Sequence, residues 1–366
     1  MTGSDRPRRL RIAAIGGDGI GPEVIHASLP AIADALAGDG GTLEVTHLDW
    51  GGERLLRTGQ AMPDDSVDVI RAHDAVLLGA VGHPGLAPDV SVWTLVLPLR
   101  KSLDLYVNLR PIRSWPGVIS PVRGAEGVDM VVVRENTEGE YAGVGGRVHR
   151  DSPSEVATDV AVHSRRAITR VARHAFGLAR ARGQRLTLVT KSNVSRHGYA
   201  LWDEVVFELG ADEFPDVELE KSYVDAMAAR VIERPRSLGV LVCSNLFGDI
   251  LSDGAAPLAG GLGMAPSANL CPGSDTPGVF EPVHGSAPDI AGKGIANPMA
   301  CLLSGAMLLR ETGFGAAADA LETAVGEAVQ VDEGRTPDIG GSATTGAAGE
   351  AVRTALGAAA VGGRAA

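Results

Sequence analysis

Three arginines between residues 100 and 134 have the surroundings of anion-binding groups. Arg100, Arg110 and Arg134 stand in the apolar segments LPLRKSLDLYVNLRP and MVVVRENTEGEYAG. A buried guanidinium needs an anionic partner, and its fork geometry suits a carboxylate. Taken singly, each arginine is better explained by an ion pair within the chain, with the candidate partners Asp104, Glu135 and Glu138. Three such arginines together favour a ligand with several carboxylates.

Two aspartates four residues apart have the chemistry of a metal site. In LGVLVCSNLFGDILSD, Asp249 and Asp253 share one face of a predicted helix that follows an apolar strand. Their oxygens suit Mg²⁺ or Mn²⁺, because a bound cation relieves their mutual repulsion. The alternative is a solvated acidic helix face. Asp225, in SYVDAMAAR, is a third acid among apolar neighbours.

Two further segments carry candidate chemistry. Lys191 follows the apolar run LTLVT, where a lysine either serves in proton transfer or extends its ammonium group to solvent. Residues 280–298, FEPVHGSAPDIAGKGIANP, predict a rigid loop whose backbone amides can hold a nucleotide. Asp289 would accept hydrogen bonds from both ribose hydroxyls and repel a 2′-phosphate, which favours NAD over NADP.

The elements that must position these residues alternate along the chain. LRIAAIGGDGIGPEV indicates a strand, a glycine turn and a helix, but its GxGxG spacing differs from the GxGxxG dinucleotide fingerprint. The alternation predicts an α/β architecture with largely parallel strands. Gly143–Arg147 and Gly260–Gly263 are interpreted as loops or domain crossings. Further strands are predicted at Ala75–Leu78, Met130–Val133, Leu186–Val189 and Val240–Val242.

Length and charge limit the class of protein. The 366 residues fit two domains or one large α/β unit. A net charge of -12 argues against nucleic acid as a partner. No apolar run approaches the roughly 18 residues of a membrane span, and MTGSDRPRRL has no apolar stretch after its basic residues. Three cysteines without CxxC spacing fit a reducing compartment, so we expect a cytoplasmic protein without membrane contact.

Together these segments resemble the β-decarboxylating dehydrogenases, which comprise isocitrate, 3-isopropylmalate, homoisocitrate and tartrate/D-malate dehydrogenases. The resemblance extends from GDGIGPEV through HGSAPDIAGKGIANP to PDIGGSATT. It implies a two-domain, isopropylmalate dehydrogenase-like α/β fold with a mixed, largely parallel central sheet flanked by helices, and not a standard Rossmann fold. Residues 1–105 and 260–366 would form the cofactor-binding domain. Residues 106–259 would bind substrate and metal and mediate dimerisation.

The resemblance also implies a role for each candidate residue. Lys191 would assist loss of the hydroxyl proton, and Tyr141 would protonate the enolate after CO₂ leaves. Lys191 and Asp225 would reach the site from the second subunit of a homodimer. The carboxylates of a small malate-type substrate would be held by Arg100, Arg110 and Arg134. Mg²⁺ or Mn²⁺ would be bound by Asp225, Asp249 and Asp253. NAD would be held by His284, Gly285, Ser286, Ala287, Pro288, Asp289, Ile290 and Asn297.

The third arm of the substrate is expected to face SVWTLVLPLR, through Trp93, Val96 and Leu97. Isocitrate enzymes usually carry Ser and Asn six and four residues before the arginine, where this chain has Thr94 and Val96, so a third carboxylate is poorly provided for. Trp93, with RENTEGEY, TKSN and SNLFGDILSD, favours a tartrate/D-malate dehydrogenase.

Other identities stay open. YVDAMA resembles 3-isopropylmalate dehydrogenases, whose apolar pocket Val96 and Leu97 would also suit. Another 3-substituted malate is a further alternative. A catalytically silent regulatory subunit is a remote one, since such a paralogue should lack some of the arginines or metal acids.

Overall fold

The computed structural model describes residues 8–362, which contain twelve strands. Ten of them form one sheet, and the remaining two form a separate hairpin. The strands are β1 (Arg8–Gly17), β2 (Gly41–Leu48), β3 (Ala75–Ala80), β4 (Val107–Arg113), β5 (Asp129–Glu135), β6 (Gly139–Val148), β7 (Val156–Val162), β8 (Leu186–Thr190), β9 (Leu219–Tyr223), β10 (Val240–Cys243), β11 (Pro266–Leu270) and β12 (Gly278–Pro282).

Helices flank the large sheet. Every residue of β3, β8 and β10 is buried, as expected for parallel strands that are covered on both faces. A π-helical turn, Val92–Val96, leads into α4. The helices are α1 (Gly21–Gly38), α2 (Gly52–Thr58), α3 (Ser66–Arg71), α4 (Leu97–Ser102), α5 (Arg165–Arg182), α6 (Gly198–Glu213), α7 (Val224–Glu233), α8 (Asn245–Ala255), α9 (Met299–Glu311), α10 (Gly315–Ala328) and α11 (Thr345–Gly362).

The order of strands in the sheet is β2-β1-β3-β12-β11-β4-β5-β10-β8-β9. Six of its nine pairings are parallel, and the three antiparallel ones, around β11 and β4, lie together in the middle. The predicted mixed, largely parallel sheet is therefore confirmed. All strands from residues 1–105 and 260–366 fall on the β2 side of the β11–β4 junction. This grouping agrees with the predicted division into two domains, which stays a prediction.

The interpretation of Gly143–Arg147 as a loop is wrong. These residues belong to β6, which pairs with β7 in an antiparallel hairpin. Gly143 and Gly145 have φ values of 78° and 158°, and a Cβ at Gly145 would lie 2.1 Å from the carbonyl oxygen of Thr158. Gly145 thus allows a close strand pairing that a side chain would block.

The other glycine segments behave as predicted. Gly260 and Gly261 have positive φ values and lie in the turn between two short 3₁₀ segments. The glycine turn after β1 passes directly into α1, with Pro22 in the first helical turn. Within residues 8–362, no helix is both long and apolar enough to cross a membrane.

Candidate active site

Five side chains that the sequence singled out lie in one cluster at the carboxyl ends of β5 and β10. The guanidinium of Arg134 contacts the Asp249 carboxylate at 2.5 Å. Arg110 contacts Asp249 at 3.2 Å and Asp253 at 2.8 Å. The hydroxyl of Tyr141, from β6, donates to the second oxygen of Asp249 at 2.8 Å. The cluster therefore brings Arg110, Arg134 and Tyr141 to two aspartates that lie more than 100 residues later in the chain.

Local packing fixes the position of Arg134. Its side chain is only 2% exposed, and its Nε and Nη2 atoms donate to Asn245 Oδ1 at 3.0 and 2.7 Å. Asn245 in turn donates to the carbonyl oxygen of Glu138 at 3.0 Å. A Cβ at Gly248 would lie 2.7 Å from the Arg134 side chain. Helix α8 can therefore approach β5 closely enough for Asp249 to reach the guanidinium only because residue 248 is glycine.

The charges of the cluster set its protonation states. Burial, with the neighbouring charge of Arg110, lowers the pKa of Arg134 to about 9. Burial acts to raise the pKa of Asp249, but the positive charges of Arg134 and Arg110 outweigh it and hold that pKa below its usual value. Burial, and then the charge of Asp249, raises the pKa of Tyr141. At neutral pH the site thus contains an ionised Asp249 beside a tyrosine that keeps its proton.

The pKa of Asp253 is shifted in the opposite direction to that of Asp249. Its side chain is 46% exposed, yet burial of the carboxylate raises its pKa, and the charge of Asp249 adds to this effect. Arg110 acts against both. The charge of Asp249 thus disfavours the ionisation of Asp253, a condition that a bound cation would relieve.

Arg100 joins the site from α4. Its Nη2 atom donates to Glu281 Oε1 at 2.7 Å, and both side chains are nearly buried. Its charge contributes to the lowered pKa of Asp249 and opposes the raised pKa of Tyr141. The three arginines predicted to hold carboxylates therefore act on one small region.

The predicted ion-pair partners of the arginines are wrong. In the part of the chain that the structure describes, Asp104 pairs with Arg170 at 2.6 Å. Glu135 and Glu138 accept hydrogen bonds from backbone N–H groups and hydroxyls. The partners observed instead lie on β12 and α8, since neighbours in the sheet, and not neighbours in sequence, face the arginines.

Lys191 and Asp225 form a separate pair near the β9 edge of the sheet. Lys191 directly follows β8, Asp225 lies in the first turn of α7, and their charged atoms are 2.7 Å apart. The hydrogen bond from Lys191 lowers the pKa of Asp225. Among residues 8–362, no three His, Cys, Asp or Glu side chains of one chain come together as a metal site. A single chain thus does not bring Asp225 to Asp249 and Asp253.

The glycine turn after β1 packs against the loop that was predicted to bind the nucleotide. The Ile20 N–H donates to the carbonyl oxygen of Ser286 at 2.9 Å. Gly19 has a φ of 57°, and a Cβ there would lie 2.0 Å from the same oxygen. Only glycine permits this approach.

The loop itself offers polar groups to a ligand. The Nε2 atom of His284 is buried and has no hydrogen-bond partner among the described residues, while Nδ1 lies 3.0 Å from the Gly285 carbonyl oxygen. Burial lowers the pKa of His284, so its ring is neutral at pH 7. Asn297 donates to Asp338 at 3.0 Å, and Asp289 is exposed. A neutral ring with a buried nitrogen that lacks a partner among the described residues could form a hydrogen bond with a polar ligand.

Comparison with known proteins identifies the family. The family model described as isocitrate/isopropylmalate dehydrogenase matches residues 11–352. The chain belongs to this family. It is accordingly a decarboxylating dehydrogenase that acts on a CH–OH group.

Several relatives resemble this dehydrogenase over nearly its whole length. A protein of Agrobacterium vitis named probable tartrate dehydrogenase/decarboxylase is 47% identical over 95% of the chain and 98% of its own length. The 3-isopropylmalate dehydrogenase of Thermobifida fusca is 45% identical over 88% of the chain and 92% of its own length. The crystal structure of isocitrate dehydrogenase from Methylococcus capsulatus matches with a TM-score of 0.86 and 36% identity, over 95% of this chain and 99% of that one.

The predicted substrate-arm residues of the dehydrogenase differ in accessibility. Trp93 is 43% exposed. Its ring packs against the β6–β7 hairpin, where a Cβ at Gly143 would lie only 2.9 Å from it. The ammonium group of Lys101 lies 5.3 Å from the centre of the same ring. Val96 is half-buried and Leu97 is buried. Trp93 is thus the most open of the three side chains.

Sequence patterns did not single out four polar residues of the site in this dehydrogenase. Glu281 lies within the segment predicted as the nucleotide loop but received no role of its own. A usable signal was present for the three that lie in strands, because a polar residue inside an apolar strand must be paired when it is buried. The four residues are Asn108, Asn245, Asn269 and Glu281.

Proposed function

We propose that this dehydrogenase uses NAD and a divalent cation to oxidise a malate-type 2-hydroxy acid, D-malate or tartrate, and to remove its β-carboxylate. The observation that carries the proposal is the convergence of Arg110, Arg134 and Tyr141 on Asp249, with Arg100 close enough to influence the same carboxylate. Such a group of cations can bind two carboxylates of one small molecule.

The arginines bind and orient the substrate. Arg110 and Arg134 now hold aspartates, and substrate carboxylates would take over these partners. Arg134 cannot turn away from the site, because Asn245 holds two of its nitrogens. A substrate bound in this way presents its C2 hydroxyl and its β-carboxylate in a fixed orientation, which lowers the entropic part of the barrier.

The acids fit a divalent cation. Asp249 and Asp253 would hold Mg²⁺ or Mn²⁺ together with Asp225 of a second copy. When bound, the cation withdraws negative charge from the substrate oxygens. Both aspartates contact Arg110, so their carboxylates point towards the region where the substrate would lie.

Two side chains would move protons. Lys191 of a second copy would assist loss of the C2 hydroxyl proton, directly or through water, while the C2–H hydride leaves. Loss of CO₂ then leaves an electron pair at C3, which takes up a proton as a new C–H bond forms. Tyr141 is suited to supply this proton, because burial and Asp249 raise its pKa and keep it protonated.

The loop after β12 fits NAD. His284–Ile290 and Asn297 would hold it, and the loop contains a buried ring nitrogen, Nε2 of His284, that lacks a partner among the described residues. When bound, NAD accepts the hydride from C2. The exposed carboxylate of Asp289 would bind ribose hydroxyls and disfavour a 2′-phosphate.

A second copy of the chain would complete the site. Lys191 and Asp225 pair with each other and stay partly exposed. The hairpin also presents four valines whose exposure is between 47% and 57%. They share one face, since Val144 pairs with Val160 and Val148 pairs with Val156. An apolar face of this kind, together with exposed Ile250 beside Asp249, supports a homodimer.

The substrate choice rests on Trp93 and is tested by a substrate panel. We expect the Trp93 ring to leave less room beyond C3 than an isopropyl group needs. The second candidate, 3-isopropylmalate, is favoured by the half-buried Val96. The panel contains D-malate, L-tartrate, 3-isopropylmalate and isocitrate, each assayed for NADH formation with NAD and Mn²⁺. We expect NADH formation to be fastest with D-malate or L-tartrate. A higher kcat/KM with 3-isopropylmalate would overturn the choice, and no turnover with any of the four would favour a silent regulatory subunit.

A further inference from the structure

A chain of buried hydrogen bonds joins Arg110 to Arg100 through the middle of the sheet. Arg110 Nε donates to Asn108 Oδ1 at 2.7 Å. Asn108 Nδ2 donates to Asn269 Oδ1 at 3.0 Å, and Asn269 Nδ2 donates to Glu281 Oε1 at 2.9 Å. The same oxygen of Glu281 accepts from Arg100 at 2.7 Å. Both asparagines are completely buried, so water does not compete for these bonds.

The two ends of this chain fix the orientation of both amides. An arginine only donates, so Asn108 must turn its oxygen to Arg110 and its NH₂ group to Asn269. Asn269 then accepts through its oxygen and directs its own NH₂ group at Glu281, which only accepts when it is ionised. A flip of either amide would place two donors or two acceptors face to face in the core, at a high cost in free energy. One arrangement alone satisfies both arginines.

The network crosses the junction between the two groups of strands. Asn108 on β4 and Asn269 on β11 are direct partners in the register. Arg100 on α4 and Glu281 on β12 belong to the group that contains the amino-terminal strands, whereas Arg110 and Asn108 on β4 begin the other group. The relative placement of the two guanidinium groups therefore depends on the Asn108–Asn269 contact.

We propose that Asn269 is a positioning residue, which holds Arg100 and Arg110 in register so that they bind the carboxylates of one substrate as a unit. It touches neither guanidinium and acts through Asn108 and Glu281. This inference rests on the proposed function, in which both arginines bind substrate carboxylates.

The test compares Asn269→Leu with wild type. Leucine fills a similar volume and removes all four hydrogen bonds of the amide. The substrate is D-malate, or 3-isopropylmalate if the wild type turns it over faster. We expect the KM for this acid to rise about tenfold or more. The KM for NAD should stay within about twofold, since the nucleotide loop is untouched. Asn269→Ser is the second variant, with the same expectation, should Asn269→Leu not fold.

A double-mutant cycle measures the coupling directly. Arg100→Lys and Arg110→Lys keep the charge but lose the fork geometry, so each should raise the KM for the acid. In the wild-type background the two effects should be non-additive, and in the Asn269→Leu background they should become additive. Additive effects in the wild-type background would overturn the inference.

Asn136→Leu is the matched control. Asn136 is equally buried and donates to the same Asn269 oxygen at 3.0 Å, but it lies outside the path between the arginines. It should lower the urea midpoint of unfolding and leave the KM for the acid near the wild-type value. An equal rise in KM for both leucine variants would show a general structural effect and overturn the positioning role. If instead neither lysine variant changes the KM, the proposed carboxylate-binding role of the arginines fails.

Discussion

Replacement of Asp249 by Asn should destabilise the ligand-free protein at neutral pH. Asparagine has nearly the same shape and keeps one oxygen for Arg134, but it removes the charge that faces Arg134 and Arg110. Removal of one partner from a buried ion pair costs about 3–5 kcal/mol. Because the Asp249 side chain is 31% exposed and the amide oxygen retains a hydrogen bond, we expect a loss of about 2 kcal/mol in the free energy of unfolding.

The loss of unfolding free energy in Asp249→Asn should become smaller at low pH. The pKa of Asp249 in the folded protein lies below its ordinary value of 3.8. A carboxylate with a lowered folded pKa stabilises the protein fully above the unfolded pKa and stops doing so as the pH falls through the folded pKa. The difference in stability between wild type and Asp249→Asn should therefore be complete at pH 7. It should shrink only as the pH falls below 3.8.

Urea unfolding followed by circular dichroism, in EDTA and without substrate, measures both effects. Asp253→Asn is the matched control, because it is the same change one helical turn later. The pKa of Asp253 is raised, so its charge does not favour the folded state and its neutralisation should cost little. Equal midpoints for wild type and Asp249→Asn at pH 7, with equal slopes, would refute the reasoning.

Three further predictions concern the cofactor, the assembly and the substrate arm. Asp289→Ser should reduce the preference for NAD over NADP, measured as the ratio of kcat/KM values, and an unchanged ratio would remove Asp289 from cofactor selection. Lys191→Ala and Asp249→Asn subunits, each inactive alone, should regain up to about half of the wild-type activity per mixed dimer, because one site escapes both changes. Inactive mixed dimers, confirmed by mass, would contradict shared sites. Trp93→Ala should shift kcat/KM towards 3-isopropylmalate by about tenfold relative to D-malate, and a shift in the opposite direction would show that the ring does not limit space beside C3.

The positions of the charged residues could be predicted from the sequence because they depend on local pattern. Arg134 ends a run of apolar residues, so its place at the end of a buried strand follows from that run alone. The spacing of Asp249 and Asp253 likewise places both on one face of α8. Such inferences need only the periods of helices and strands.

The partners of these residues could not be predicted, because sheet order decides them. Arg100 and Glu281 are 181 residues apart, and they meet because β12 pairs with β3, the strand that precedes α4 in the chain. The hairpin was missed for a different reason. Glycine at 143, 145 and 146 lowers the strand propensity of the sequence, whereas the close pairing of β6 and β7 requires glycine at 145.

The charges of the arginine–aspartate cluster neutralise one another, and this has a consequence for binding. The arginines and the aspartates are each other's counterions, so a substrate carboxylate on Arg110 or Arg134 must displace Asp249 or Asp253. The freed carboxylates then repel one another until a cation binds, and a cation that binds first leaves the arginines without partners. The substrate thus gives the arginines the negative partners that the cation removes, and the cation gives the aspartates the positive partners that the substrate removes. The two ligands must therefore bind cooperatively. Calorimetry without NAD should show Mn²⁺ binding about 5- to 150-fold tighter when D-malate is present, with the same factor for D-malate when Mn²⁺ is present. A factor near one would mean that the arginine–aspartate contacts are not broken by the substrate.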